Sequence, residues 1–383
     1  MNRTANAALA AMTVSFGLNF SMGVFLAPTA AAYGISATAL SLAAAAATAL
    51  TGLVQWKVGS LLDRLGARVV LVVGLALTSG GYLVLATVQQ TWEFVAAYMV
   101  FVGLGFASAS SLTITTLISR SYGPRAAPAL ARASIGINLG QVLAPWAATA
   151  LFEPVGVRGA YTILGAAGLA ATAVLWFRLS PDRVESVRDV RGESLAGQAR
   201  VLVSFGLHAA TMYVVVLMLP KHALETGWSV VGSGRLVAVV AISAGVTSAL
   251  VARLLRTRAP ETLLRLLYGV RALALVLAAF VPGEGVILAV AVLFGAASFP
   301  VIPLTMAVMS RGLDPKRIGR TLAPAWVTHQ LAAAAGLGVA AAIHSLTDSY
   351  RGFFVLGLAF SLAAAALLTS PASYAANFSQ RRN

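Results

Sequence analysis

The residues able to do chemistry in this chain are few, and most are cations set in apolar surroundings. His208 and His329 fall in the middle of long apolar runs, and so do Arg132, Arg235 and Arg271. The carboxylates stay away from them. Glu93, Glu153, Glu225, Glu261, Glu284 and Asp348 lie at or beyond the ends of such runs, and Asp182, Glu185, Asp189 and Glu193 share one polar stretch. Cations without an embedded carboxylate partner suit an anion, whose binding supplies the missing counter-charge. Histidine adds a way to carry a proton, because it titrates near neutrality. There is no cysteine, which removes disulfides, thiolate metal sites and cysteine nucleophiles. H-E-x-x-H, G-x-S-x-G and paired embedded aspartates are also missing, so the chain reads as a non-enzyme with no cofactor.

These groups are positioned by helices in lipid. Of 383 residues, 59% are apolar and 10% charged, whereas a soluble domain is about a quarter charged. A hydrocarbon core is crossed by about 20 residues of helix, and twelve stretches qualify: 7–31, 37–58, 69–88, 93–118, 126–151, 158–178, 200–220, 229–252, 262–281, 285–310, 320–345 and 351–370. The first is too long for a cleaved signal peptide, despite the small residues near Ala27–Ala32, and is kept as a helix. The expected fold class is all-α, with twelve transmembrane helices in two pseudo-symmetric six-helix bundles. The first bundle covers 1–178 and the second 200–383, with the polar stretch 179–199 as a cytoplasmic linker.

The net charge of +15 sits in short loops between apolar runs rather than on one face of a domain, which argues against a nucleic-acid partner. With both termini inside, loop residues such as Lys57, Arg64, Arg68, Arg120, Arg125, Arg253, Arg311 and Lys316 face the cytoplasm. Only Arg158, Lys221 and Arg351 face outward, as the positive-inside rule requires. The location expected is a bacterial inner membrane, and the chain is expected to act as a monomer.

An internal repeat links the halves. Phe16-Gly17-Leu18-Asn19 recurs as Phe205-Gly206-Leu207-His208, and Leu62-Asp63-Arg64-Leu65 aligns with Val251-Ala252-Arg253-Leu254, both at an offset of 189. Ser119-Arg120 and Pro124-Arg125 return as Ser310-Arg311 and Pro315-Lys316, at 191. Parallel repeats of this kind put a substrate site between the halves, near the membrane midplane.

Gly59-Ser60-Leu61-Leu62-Asp63-Arg64-Leu65-Gly66-Ala67-Arg68 resembles the loop 2–3 signature of the major facilitator superfamily, G-x-x-x-D-R-x-G-x-R. Helix 1 (FGLNFSMGVFLAPTAAAYGIS), the LLDRLGAR loop, and helix 5 with Gly136, Gly140 and Pro145 are similar to the monocarboxylate transporter and oxalate/formate antiporter branch. That branch usually carries an arginine late in helix 8, where this chain reads Ser243-Ala244-Gly245. The resemblance implies secondary transport of a small solute, by symport or antiport. It also implies that Asp63 latches the cytoplasmic face by contacting the start of helix 11, at Arg320 and Thr321, together with Arg120.

The gating set is therefore Gly59, Asp63, Arg64, Gly66, Arg68, Arg120, Arg132 and Arg320. Arg132 is either a gate residue facing helix 8 or a side chain snorkelling to the surface. Gly136 and Gly140, four apart, let a helix approach closely. The substrate set is Asn19, Asn138, Gln141, His208, Arg235, His329 and Gln330, each with packing as its rival role. Arg235 is the favoured anion ligand, with an outer-gate pairing to Glu225 as the alternative. Arg271, on a peripheral helix, is expected to snorkel.

The implied substrate is a small organic anion, with a monocarboxylate as the class that the branch resemblance implies, and protons or a second anion as the coupled species. The alternatives are efflux of an amphipathic compound and a transport-inactive sensor on the same fold.

Overall fold

The computed structural model describes residues 2–180, 198–228, 230–311 and 313–368. Most of the predicted linker, from 181 to 197, lies outside them. Among the described residues the chain makes twelve helical passes. They are α1 (Asn2–Tyr33), α2 (Ala37–Leu65), α3 (Ala67–Thr87), α4 (91–122), α5 (126–155), α6 (157–178), α7 (Ala199–Glu225), α8 (Val230–Leu254), α9 (Pro260–Phe280), α10 (284–309), α11 (Ile318–Thr347) and α12 (Arg351–Leu367). Arg351–Leu367 has 17 residues, about 25 Å of helix.

Three boundaries differ from the sequence reading, each for a local reason. The second pass was expected to stop at 58 but runs on to Leu65, and only Gly66 separates it from α3. Gly66 has φ 88, which a side chain would strain, and its N–H closes the helix on the Leu62 carbonyl. Asp63 consequently sits in the last turn of α2 rather than in a loop. The fifth and sixth passes are parted by a single residue, Gly156 at φ 68, where a six-residue gap was expected. The fourth and tenth passes are not continuous. α4 contains one π-helical stretch, Tyr98–Gly103, and breaks at Ala109–Ser110 before resuming as Ser111–Tyr122. α10 breaks between Glu284–Ser298 and Val301–Met309, because Pro300 has no N–H to continue the ladder. The two breaks are repeat-related, at an offset of 190.

Small residues set the helix pairing. A Cβ on Gly136 would meet Leu9 O at 2.1 Å, and one on Gly140 would meet Thr13 O at 2.5 Å. The Gly136/Gly140 stripe therefore packs α5 against α1, not against α8. The second half repeats this pairing: Gly206 of α7 faces Thr328 and Ala332 of α11, and a Cβ on Gly336 would strike Ala210 O at 2.1 Å. In lipid such close packing replaces the hydrophobic drive that water would supply. Helices 1–6 pack on one another, as do 7–12, and the two sets meet chiefly where α2 lies on α11 and α5 lies on α8.

An aromatic cluster fills the end of α1–α6 remote from Asp63. Phe25 stacks on Tyr161 with centroids 4.0 Å apart, Tyr82 donates to Leu18 O, and the Thr29 and Tyr161 hydroxyls are 3.0 Å apart.

Candidate functional site

The two halves are joined where α2, α4 and α11 meet. The first turn of any helix leaves N–H groups without partners, and α11 starts at Ile318 after Arg317, whose side chain gives no cap. Asp63 supplies the cap from across the molecule. Its Oδ1 accepts from Gly319 N at 3.0 Å and its Oδ2 from Arg320 N at 2.9 Å. A carboxylate is favoured there by the positive end of the helix.

Arg120, at the end of α4, completes the arrangement with three donated bonds: to Asp63 Oδ1 at 2.8 Å, to Leu62 O at 2.9 Å and to Pro315 O at 2.7 Å. Arg320 Nε lies 3.8 Å from Oδ2. Asp63 is 4% exposed, so this charge is satisfied in a dry setting rather than solvated among loop arginines. The approach is possible because both backbones are bare. A Cβ on Gly59 would lie 2.6 Å from Gly319 O, and one on Gly319 would lie 2.7 Å from Gly59 O.

Among the described residues this arrangement has no repeat-related counterpart. Ala252, repeat-related to Asp63, has no carboxylate, and Arg311, repeat-related to Arg120, bonds Glu261 of α9 at 2.5 Å instead. The remaining residues of the signature do other work. Arg68 donates to Trp176 O at 2.5 Å with its guanidinium 4.1 Å from the Trp176 ring, tying α3 to α6. Arg64 is exposed. Gly319 was missed in the sequence reading, which began the eleventh pass at 320, whereas the helix starts at Ile318.

Deeper in the molecule, α7 and α11 bring His208 and His329 together. Their ring centroids are 5.8 Å apart, and Phe205, Trp326 and Tyr213 lie 4.5, 5.2 and 6.0 Å from the His329 ring. Both histidines are buried. His329 Nδ1 is 3.2 Å from Gln330 Oε1, while His329 Nε2 and both nitrogens of His208 have no protein partner. Gln330 packs on Gly52 of α2, where an added Cβ would lie 3.0 Å from its own Cβ. Asn138 donates weakly to Ser248 Oγ at 3.5 Å, joining α5 to α8. Asn19 and Gln141 are half-buried on α1 and α5, apart from the histidine pair.

Three further arginines have defined surroundings. Arg271, expected to snorkel, is fully buried. It reaches from α9 to Thr211 Oγ1 at 3.2 Å and His208 O at 3.4 Å on α7, and to Ala297 O at 3.1 Å on α10. These carbonyls and the end of the Glu284–Ser298 segment give the guanidinium acceptors and a negative helix terminus.

Arg235, the favoured anion ligand, is exposed near the start of α8 on a face shared with Ile242 (58% exposed) and Val246 (66%). Arg235 does not pair with Glu225, which instead binds His344 Nε2 at 3.1 Å and lies 3.8 Å from His222 Nδ1. Arg132 is exposed and takes no part in the packing of Gly136 and Gly140.

Comparison with known proteins agrees with this architecture. The chain is 26% identical over 351 residues to the uncharacterized MFS-type transporter YcxA of Bacillus subtilis (strain 168), covering 85% of this chain and 84% of that one. The crystal structure of the human organic anion transporter MFSD10 (TETRAN) superposes with a TM-score of 0.80 at 16% identity, over 96% of this chain and 99% of that one. The Escherichia coli fucose:proton symporter FucP superposes at 0.76 and 10% identity, over 94% and 97%. At these identities the two structures establish the fold alone. The family model of the Major Facilitator Superfamily matches residues 7–337, and the chain belongs to that family of membrane transporters.

Proposed function

We propose that the chain moves a small organic anion, with a monocarboxylate as the favoured class, by alternating access between the halves 1–178 and 200–383. Protons or a second anion drive the movement. The observation that carries this reading is the charge distribution in the helix cores. His208, His329 and Arg271 are buried there, whereas the described carboxylates lie at helix ends. An anion entering such an interior gains attraction and meets no fixed negative charge. That the human structure of similar fold is an organic anion transporter is in keeping with it.

The lysine and arginine bias assigns the Asp63 end to the cytoplasm, so the capped α11 terminus is a cytoplasmic latch in its closed form. The outward half then holds the open access path. The setting is a bacterial inner membrane, with a single chain as the working unit. The aromatic wall of Phe205, Tyr213 and Trp326 favours, as a second reading, export of an amphipathic anion. A transport-inactive sensor has less use for a fully bonded latch.

A thermal-shift screen of the purified protein against small carboxylates tests the reading. A ligand at 100 times its dissociation constant stabilises by about 2.7 kcal/mol, so at least one carboxylate should raise the melting temperature. Stabilisation only by cationic or neutral solutes would reject it.

A further inference from the structure

The break in α4 leaves a helix start inside the membrane. On its upstream side the backbone is satisfied: Ser108 O accepts from Thr113 Oγ1 at 2.6 Å, and Ala109 O accepts from Ser15 Oγ of α1 at 2.9 Å. On the downstream side it is not. Ser110, extended at φ −78 and ψ 176, makes no side-chain cap to the twelve-residue segment Ser111–Tyr122. Two buried side chains at this start keep polar atoms without partners. Ser111, 3% exposed, has an unpartnered Oγ. Gln55 of α2, 1% exposed, reaches Ser110 Oγ with Nε2 at 3.4 Å and leaves Oε1 unpartnered. A glutamine amide can be turned either way within the same density of atoms, so Gln55 can present its NH2 to the site as readily as its oxygen.

The repeat-related break in α10 is built otherwise. Its downstream segment begins with Pro300 at the cap and has Pro303 in its first turn, so two N–H groups are absent. Arg271 bonds the carbonyl end of the upstream segment. Among the described residues the α4 break thus keeps the donors that the α10 break lacks at 300 and 303.

Its position fits a site between the halves. Gln55 lies eight residues before Asp63 on α2, about 12 Å at 1.5 Å per residue, and one turn from Gly52, which touches Gln330 of α11. The same short helix carries Arg120, the latch arginine, near its far end. We propose that the carboxylate of the transported anion docks on the internal N-terminus of α4, held by the first backbone N–H groups of Ser111–Tyr122, the Ser111 hydroxyl and the Gln55 amide. Helix N-termini receive anions because their N–H groups and dipole point at the ligand, and broken transmembrane helices use the same device. This inference rests on the anion reading above and replaces Arg235 as the group that receives the charge.

The test is equilibrium binding of radiolabelled acetate, lactate and benzoate to purified wild type, Ser111→Ala and Gln55→Glu, with melting temperature as the folding control. Gln55→Glu places a fixed carboxylate at the same positive end and should abolish binding of the probes that wild type holds. Ser111→Ala, which deletes one oxygen atom, should weaken them by about tenfold, as for one charge-assisted hydrogen bond, and it decides the matter if Gln55→Glu does not fold. Wild-type affinity in a folded Ser111→Ala or Gln55→Glu overturns the site while leaving the anion reading intact, and means that water alone occupies the break. Failure of wild type to bind any of the three, alongside binding of a neutral or cationic solute, removes the anion reading and this site with it.

Discussion

Asp63 and Gly319, 256 positions apart in the chain, are joined by a hydrogen bond of 3.0 Å from the Gly319 N–H to the carboxylate. A side chain of the first half thus caps a helix of the second. Because the cap is external to α11, parting α2 from α11 uncaps the helix and strands a charge, and both penalties fall on the open state. A carboxylate at a helix start contributes about 0.3–1 kcal/mol, more when partly buried, and the Arg120 pair adds to it.

Asp63→Asn keeps the shape and removes the charge. The protein should insert and melt normally, while the gate equilibrium moves toward cytoplasm-open by at least about 1.4 kcal/mol, a factor of ten. Transport should fall at least tenfold. Ala252→Ser, at the repeat-related position, should be nearly silent. Spin-label distances across the cytoplasmic ends of α2 and α11 report the equilibrium, and wild-type distances in Asp63→Asn would remove the latch.

Gly59→Ala tests the close approach rather than the charge. Its Cβ would lie 2.6 Å from Gly319 O and 2.8 Å from the Ala323 Cβ, so α2 must shift away from α11, at about 1–3 kcal/mol. The Asp63→Asn phenotype should reappear with every charge in place. Unchanged spin-label distances would mean that the helices do not hold each other this tightly.

Arg271→Leu should destabilise the protein outright. It leaves Ala297 O short of a donor and empties a site where α7, α9 and α10 meet, and a buried group left unsatisfied costs about 1–3 kcal/mol. Arg235→Gln, at an exposed position, should leave the melting temperature unchanged. Equal melting temperatures for the two variants in detergent would contradict the structural role of Arg271.

The contacts of Asp63 were legible through the family resemblance, because Gly59 to Arg68 form one contiguous signature and a repeat marks Arg120. The Asp63 partner Gly319 was not, since a glycine in a helix's first turn has no signal of its own until α2 is laid against it. Arginine placement failed for a related reason. Arg271 was assigned to the lipid face because its helix is peripheral, but a peripheral helix still has an inner face, and which residues occupy it depends on a rotation that an all-round apolar sequence does not specify. Arg235 lies on an exposed stripe with Ile242 and Val246, a helix rotation that the sequence likewise leaves open. The break in α10 could be read from Pro300 and Pro303. The break in α4 lies in Ala107-Ser108-Ala109-Ser110-Ser111, a run with no proline, and it depends on acceptor groups that Ser15 and Thr113 satisfy from elsewhere.

Orientation can be tested on a background that has no cysteine. Cysteine at Gly283, in the exposed α9–α10 turn, should react with an impermeant thiol reagent in intact cells. Cysteine at Arg258, between α8 and α9, should react only after the membrane is broken. The reverse pattern would invert the assignment of the latch to the cytoplasm.

Uptake of radiolabelled lactate into proteoliposomes, measured from pH 5 to 8 for wild type, His329→Gln and Asp63→Asn, is the most direct test of the account. Wild type should show saturable uptake driven by an inward proton gradient or by a preloaded anion. Asp63→Asn should lose at least nine-tenths of it. His329→Gln should flatten the dependence on pH, since histidine is the side chain whose ordinary titration falls in that range. Uptake no greater than in protein-free vesicles under either driving force, from a preparation that transports a neutral solute, would contradict the account.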